Sequence, residues 1–211
     1  MENILPVIYT TCVCGKLPFL TWAFVDGIEI VECVACGVRR VRAIDDSYTE
    51  RYTSGSYHSE DRSYDTGHKA HSERREHDYT VAQSRLNKLI GRSDSLLSME
   101  HIRLLDVGCS NGAFLQAALD RGFDAVGCDL STDAVHDAYK KYVRTGGIAD
   151  CGWQRRTFDV ITFNDVLEHI PAPLAALRTA KGLLKRSGIL VVDIPDMGFE
   201  DALVQGPKFK H

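Results

Sequence analysis

The sequence predicts an α/β protein, with a mostly parallel sheet covered by helices on both faces and a small N-terminal cysteine-rich β module. Three observations carry this. Apolar runs alternate with helix-compatible segments from about Ile102 to Ile194, the pattern of strands buried on both sides. The stretch Leu104-Leu105-Asp106-Val107-Gly108-Cys109-Ser110-Asn111-Gly112 breaks an apolar run with a glycine loop, and the next run, Ala125-Val126-Gly127-Cys128-Asp129, ends in a carboxylate. Cys12, Cys14, Cys33 and Cys36 form two close pairs near the N-terminus.

Taken in order, residues 1–43 contain short β-like runs around the paired cysteines. Phe19 to Val25 and Ile28 to Val31 flank Asp26-Gly27, a hairpin turn suited to glycine at positive φ. Residues 44–95 begin polar and tyrosine-rich, with Tyr52, Tyr57 and Tyr64 in a connector or lid, and end in a helix from about Ala70 to Ile90. Ala82, Leu86, Leu89 and Ile90 share one face of that helix. Residues 96–196 form the α/β domain. Its expected elements are a strand over Ile102–Val107, a helix over Gly112–Arg121 and a strand over Asp124–Asp129. A helix capped by Ser131 then runs to about Tyr142, followed by a weak strand near Gly147–Asp150. Phe158–Asn164 is a strand, about Pro173–Leu184 a helix and Ile189–Ile194 the last strand. Residues 197–211 form a short tail.

Bulk properties exclude some classes. An apolar share of 44% and a charged share of 26% are ordinary for a globular protein. A net charge of −4 without an extended basic patch gives no support for a nucleic-acid partner. No apolar run reaches the ~20 residues that span a bilayer, and the first residues do not read as a secretory signal, so a cytoplasmic location is expected. Seven cysteines, an odd number, favour reduced thiols. Cys109, Cys128 and Cys151 read as packing residues.

The loop chemistry narrows the ligand. A dinucleotide site wants Gly-x-Gly-x-x-Gly facing a pyrophosphate, and here the second glycine is missing. No Gly-Lys-Ser/Thr follows, which excludes a P-loop. Asp106, before the first glycine, opposes a pyrophosphate and suits an ammonium group. S-adenosylmethionine (SAM) carries an ammonium and a sulfonium and no phosphate.

Residues 102–196 resemble a class I SAM-dependent methyltransferase domain of Rossmann-like fold. The glycine-loop stretch resembles its first motif. Phe158-Asp159-Val160-Ile161-Thr162-Phe163-Asn164-Asp165-Val166-Leu167-Glu168-His169-Ile170 resembles its fourth-strand motif, and Leu183-Leu184-Lys185-Arg186-Ser187-Gly188-Ile189-Leu190 resembles its Leu-x-Pro-Gly-Gly turn, with Arg-Ser replacing Pro-Gly. The resemblance implies that Asp106 orients the methionine ammonium, and that Gly108, Ser110, Asn111 and Gly112 line the amino-acid and ribose portion. Asp129 would accept from the ribose hydroxyls, against the plainer reading of a helix cap. Leu130 would pack on the adenine, Asp150 and Cys151 would lie at its edge, and Asn164 would lie near the transferred methyl.

Methyl transfer needs alignment of donor and acceptor, and oxygen or carbon acceptors also need a base. His169, beside Glu168, is the candidate pair, the alternative being that His169 positions the loop before Pro171. His58, His68, His71 and His77 sit in a polar segment and read as solvated.

The two cysteine pairs offer four thiolates, a set that selects Zn2+. Glu32-Cys33-Val34-Ala35-Cys36-Gly37 reads as a zinc knuckle. The first pair departs from Cys-x-x-Cys-Gly because Thr11 holds the first position. This leaves open whether Cys12 shifts to fill it or the site is three-coordinate or degenerate.

A zinc-ribbon-like module joined to a SAM domain resembles bacterial deoxysugar C-methyltransferase-type enzymes. That implies a small-molecule acceptor, such as a sugar or secondary metabolite. Only a short tail follows Ile194, so the fold is expected to lack the family's last β-hairpin through C-terminal truncation. Its fifth-strand edge would be open to self-association or a partner protein. Two alternatives to an active enzyme stand: a catalytically incomplete SAM-binding sensor or partner subunit, and a zinc-ribbon interaction module on an α/β scaffold.

Overall fold

In the computed structural model the described residues are 7–8, 12–25, 27–44, 50, 67–93, 96 and 100–195. The expected tyrosine connector with Tyr52, Tyr57, Tyr64 and His58, the side chains of His68 and His71, Thr11 and the tail at 197–211 lie outside them. The chain packs as two units, whose described residues are 7–8, 12–25, 27–44, 50 and 195 in one and 67–93, 96 and 100–194 in the other.

In the first unit, β1 (Val7–Ile8) pairs antiparallel with β5 (Ala43–Ile44), while β2 (Phe19–Val25), β3 (Ile28–Cys33) and β4 (Arg39–Val41) form an antiparallel meander. Val25 pairs with Ile28 across the turn, where Gly27 has φ +81°. Among its described residues only Cys12, Val31 and Cys33 are buried. Surface pairs such as Arg39 with Glu32 at 2.6 Å decorate the meander.

The second unit opens with α1 (Gly67–Gly91). It continues through β6 (Arg103–Val107), α2 (Ala113–Asp120), β7 (Asp124–Asp129), α3 (Asp137–Lys140), β8 (Val143–Thr145), β9 (Phe158–Asn164), a 3₁₀ turn (Leu167–His169), α4 (Pro173–Leu183) and β10 (Leu184–Asp193). The five strands run parallel in the order β10-β9-β6-β7-β8. Alternation divides the core between the two faces. Leu104, Ala125 and Val160 point to one side, where Ala82, Leu86 and Leu89 of α1 and Phe114, Leu115 and Ala118 of α2 cover them. Leu105, Ile161 and Phe163 point to the other, against Ala176, Ala180 and Leu183 of α4. No helix among the described residues is long and apolar enough to cross a membrane.

Three elements differ from expectation. The helix after β7 is a single turn. Ser131 Oγ accepts from Asp133 N–H at 3.3 Å, and His136 Nδ1, accepting from Ala138 N–H, caps the turn instead. Ser131, Thr132 and Asp133 offer the backbone local side-chain partners that compete with a helix. The fourth expected strand lies earlier, at Val143–Thr145. Gly146, at φ +128°, ends it, and Gly147 N–H turns back to Asp150 Oδ2. The last strand begins at Leu184, with its register slipping between Leu184 and Ile189.

Candidate functional site

Parallel strands direct their C-terminal ends to one edge of the sheet, and ligands bind in the crevice outside that edge. Here β6, β7 and β9 end around a cavity of about 690 Å³. Asp106 lies at its floor, only 2% exposed. Its Oδ1 accepts from Thr162 Oγ1 at 2.7 Å and from Asn164 Nδ2 at 3.1 Å. Burial pushes the carboxyl up to about 7, although these two donors favour the ionised form. The floor is therefore a carboxylate poised to ionise beside a cation.

The loop after β6 folds over this carboxylate. Gly108 has φ +69° and donates to Cys128 O at 2.8 Å. A Cβ at Gly108 would stand 2.8 Å from Val166 Cβ, so glycine alone fits. Ser110, itself at φ +47°, donates its N–H to Asp129 Oδ2 at 2.8 Å, while Ser131 N–H reaches Asp129 Oδ1 at 3.0 Å. Asp129 thus ties two loops together and keeps lone pairs on both oxygens for further donors. Gly112, at φ +81°, precedes α2. Asn111 Oδ1 accepts from the N–H of Ala113, the first residue of α2, at 3.0 Å, and Asn111 Nδ2 donates to Asp78 Oδ2 at 2.6 Å. Its side-chain amide is engaged at both ends, while the residue lines the cavity.

Leu130, 40% exposed, and Ile148 form an apolar wall beside Asp150. Cys151 departs from expectation. It is buried and absent from the lining, its Sγ facing the carbonyls of Thr145 and Arg144 at 3.9 and 4.0 Å. The turn after β8 carries Asp150 to the cavity and rotates the next residue into the core. Cys109 and Cys128 are buried, and burial pushes both thiols above their ordinary range, which suits packing.

His169 lines the cavity from the 3₁₀ turn, with Nε2 4.0 Å from Glu168 Oε1. Glu168 is not in the lining, so the structure brings His169 to the site and leaves Glu168 beside it. Sequence reasoning missed a wall of α1: Asp78, Val81, Ala82 and Arg85 all line the cavity. Arg85 reaches Asp165 Oδ2 at 2.5 Å and Asp193 Oδ2 at 2.9 Å, joining α1 to the tips of β9 and β10. A signal existed, because Arg85 lies three residues after Ala82 on an otherwise apolar helix face.

In the first unit, Cys12, Cys14, Cys33 and Cys36 place their four Sγ atoms within 4.8 Å of one another. Cys12 is one of the four, although Thr11 holds the first position of the usual pair. Gly15 N–H returns to Cys12 O across three residues and Gly37 N–H to Cys33 O across four, each at 2.8 Å. Burial pushes the Cys12 thiol up to about 12. For Cys33 burial acts in the same sense, but N–H groups of Ala35 and Cys36 bring it down to about 7.

The sheet order, the glycine loop beneath Val166 and the carboxylates at two strand tips define a nucleoside-cofactor α/β domain. A family model for the methyltransferase domain matches residues 74–206, more than half of the chain. The chain belongs to that family of methyltransferase domains. Among curated proteins, the ubiquinone biosynthesis O-methyltransferase of Actinobacillus pleuropneumoniae serotype 7 is 30% identical over 102 residues, covering 42% of this chain and 43% of that protein. The same-named protein of Haemophilus ducreyi is 28% identical over 127 residues, covering 53% and 49%. The chain spans about half the length of the curated relatives it matches. Among solved structures, a SAM-dependent methyltransferase from Archaeoglobus fulgidus aligns with a TM-score of 0.46 at 20% identity, covering 60% of this chain and 57% of that one. The PH0226 protein from Pyrococcus horikoshii aligns with a TM-score of 0.44 at 21% identity, covering 71% and 65%.

Proposed function

We propose that the cavity binds SAM and that the protein methylates a small-molecule acceptor. The observation that carries this reading is Asp106, a nearly fully buried carboxylate at the cavity floor. Such a group is costly unless a cation meets it, and it repels a phosphate. When bound, SAM supplies a methyl group on a sulfonium leaving group. Asp106, aimed by Thr162 and Asn164, would hold the ammonium. The backbone of Gly108, Ser110 and Gly112 would approach the amino-acid and ribose portion. Asp129 would accept from ribose hydroxyls, Leu130 would cover the adenine and Asp150 would face its edge. Fixing a methyl donor and acceptor in line contributes roughly 7–11 kcal/mol to lowering the barrier.

The names of the curated relatives favour an oxygen acceptor, and a sugar or secondary metabolite bearing a hydroxyl fits that chemistry. His169 would take the hydroxyl proton through an imidazole exposed to the cavity. Calorimetry tests the cofactor step: SAM and its demethylated product should both bind, and Asp129→Ala should weaken binding tenfold or more. An unchanged affinity in that variant would refute the ribose assignment. Loss of turnover with retained SAM binding in His169→Ala would support the base.

For the first unit we infer a structural Zn2+ held by Cys12, Cys14, Cys33 and Cys36. Tetrahedral coordination at Zn–S distances of about 2.3 Å sets the sulfur–sulfur edge near 3.8 Å. The Cys12–Cys36 and Cys14–Cys33 separations of 3.5 and 3.8 Å match it. A thiolate site of this kind requires a reducing compartment, which suits the cytoplasm. Metal analysis of the purified protein should find one zinc per chain, and a value well below that would exclude the site.

A further inference from the structure

The edge of the sheet opposite the cavity carries a second concavity of about 500 Å³, where β9 and β10 begin. Arg156, Lys181, Leu184, Lys185, Arg186 and Gly188 line it. Four of these six residues are cations, on a chain whose net charge is −4.

Two backbone irregularities bring them together. Arg156 has φ +54° and donates its N–H to Gly182 O at 3.1 Å, tying the turn before β9 to the end of α4. Between Leu184 and Ile189 the ladder with β9 slips, so residues 185–188 stand off the strand. A Cβ at Gly188 would lie 2.9 Å from Leu184 Cδ2 and 3.1 Å from both Lys185 O and Phe158 O, so the bulge is tightly closed around glycine. In this same stretch Arg186-Ser187 stands where the resembled turn has Pro-Gly. Lys185 is aimed from below: Asp159, buried, takes Lys185 Nζ at 2.8 Å on the oxygen that also accepts from Arg103 N–H at 2.9 Å. Arg156, Lys181 and Arg186 have no carboxylate partner among the described residues.

Cations at a helix C-terminus ordinarily complement its dipole, and Lys181 does so for α4. That dipole amounts to about half a charge, which one cation satisfies. The carbonyls of Ala180, Gly182 and Leu183 already accept from the N–H groups of Leu184, Arg156 and Thr157. With Lys185 paired to Asp159, Arg156 and Arg186 therefore exceed what the helix end calls for.

We propose that this groove is an anion site for the di- or triphosphate group of a small molecule. Its volume lies within the roughly 300–1,000 Å³ of small-ligand sites. Two guanidinium forks and two ammonium groups match the oxygens of a polyphosphate. A nucleic acid would need cations extended along a stripe, and these are confined to one groove.

The test is calorimetric titration of inorganic pyrophosphate into the full chain at low salt, with the cavity first saturated by S-adenosylhomocysteine. Saturable binding below about 1 mM is expected, weakening as salt is raised. Arg156→Ala combined with Arg186→Ala should lower the affinity by tenfold or more at unchanged Tm, and Lys181→Glu alone should also lower it. Absence of saturation by about 10 mM, or an unchanged affinity in the double variant, would overturn the site. So would a single-stranded oligonucleotide that displaces pyrophosphate at far lower concentration. Because the cavity is filled independently, failure here leaves the SAM reading intact, and failure of S-adenosylhomocysteine to bind would break that reading alone.

Discussion

The two units reach stability by different routes. The α/β unit buries continuous apolar layers on both faces of its sheet, and six of the seven residues of β9 are buried. The cysteine unit buries only Cys12, Val31 and Cys33 among its described residues, and two of those three are sulfur ligands of the inferred metal site. A hydrophobic layer tolerates gradual loss, because each side chain contributes its own increment. A thiolate cluster holds its turns all at once or not at all.

The largest effect that would break this contrast is metal removal. Chelation should unfold the cysteine unit, since structural zinc sites of this kind carry about 10–16 kcal/mol of apparent binding energy. Circular dichroism should then show loss of β signal with the thermal transition of the α/β unit retained. Simultaneous melting of both would deny the separate routes. Next in size is Phe163→Ala, at a fully buried position of β9. It should cost about 3–5 kcal/mol in denaturant unfolding of the α/β unit and leave zinc content unchanged.

A smaller effect distinguishes cavity from core. Asp106 ionises near 7 instead of the ordinary 3.8. Between these values the folded state holds a proton that the unfolded chain has released, so stability falls as pH rises across that window. A cationic ligand binds the ionised form, so SAM affinity should strengthen as pH rises through about 7 and then level off. Asp106→Asn should abolish that slope, and calorimetry at several pH values would show it. Smallest is Asp78→Ala, which removes the bond from Asn111 Nδ2 to α1. A loss of about 1 kcal/mol in cofactor affinity is expected. Asn111→Ala should lose more, because it also removes the bond from Ala113 N–H, and a double variant no weaker than Asn111→Ala alone would show that Asp78 acts through Asn111.

Much of the α/β unit was legible because its strands are apolar runs closed by Gly, Asp or Asn. β7 and β9 have the bounds that periodicity assigns. β8 was not legible, since Val143-Arg144-Thr145 has no apolar run and takes its place by pairing with the tip of β7. At the site, Asp106 and Asp129 stood out as carboxylates in a pattern. The bonds that set their chemistry did not, because Asp106 meets Thr162 only through the register of β6 on β9. Arg85 was marked only as a cation on an apolar helix face; its partners, 80 and 108 residues away, were hidden by distance in sequence. For the cysteines, the two close pairs suggested a metal site, while the gathering of Cys12 with the other three Sγ atoms is set by three-dimensional closure.

The contact between Gly108 and Val166 has a consequence for inheritance. The loop after β6 and the turn after β9 are 58 residues apart, yet each is shaped to the other's surface. Neither can be exchanged alone between related chains without a collision or a void. A chimera that grafts a relative's glycine loop into this protein must carry the matching fourth-strand turn with it, so the two segments form one unit of recombination.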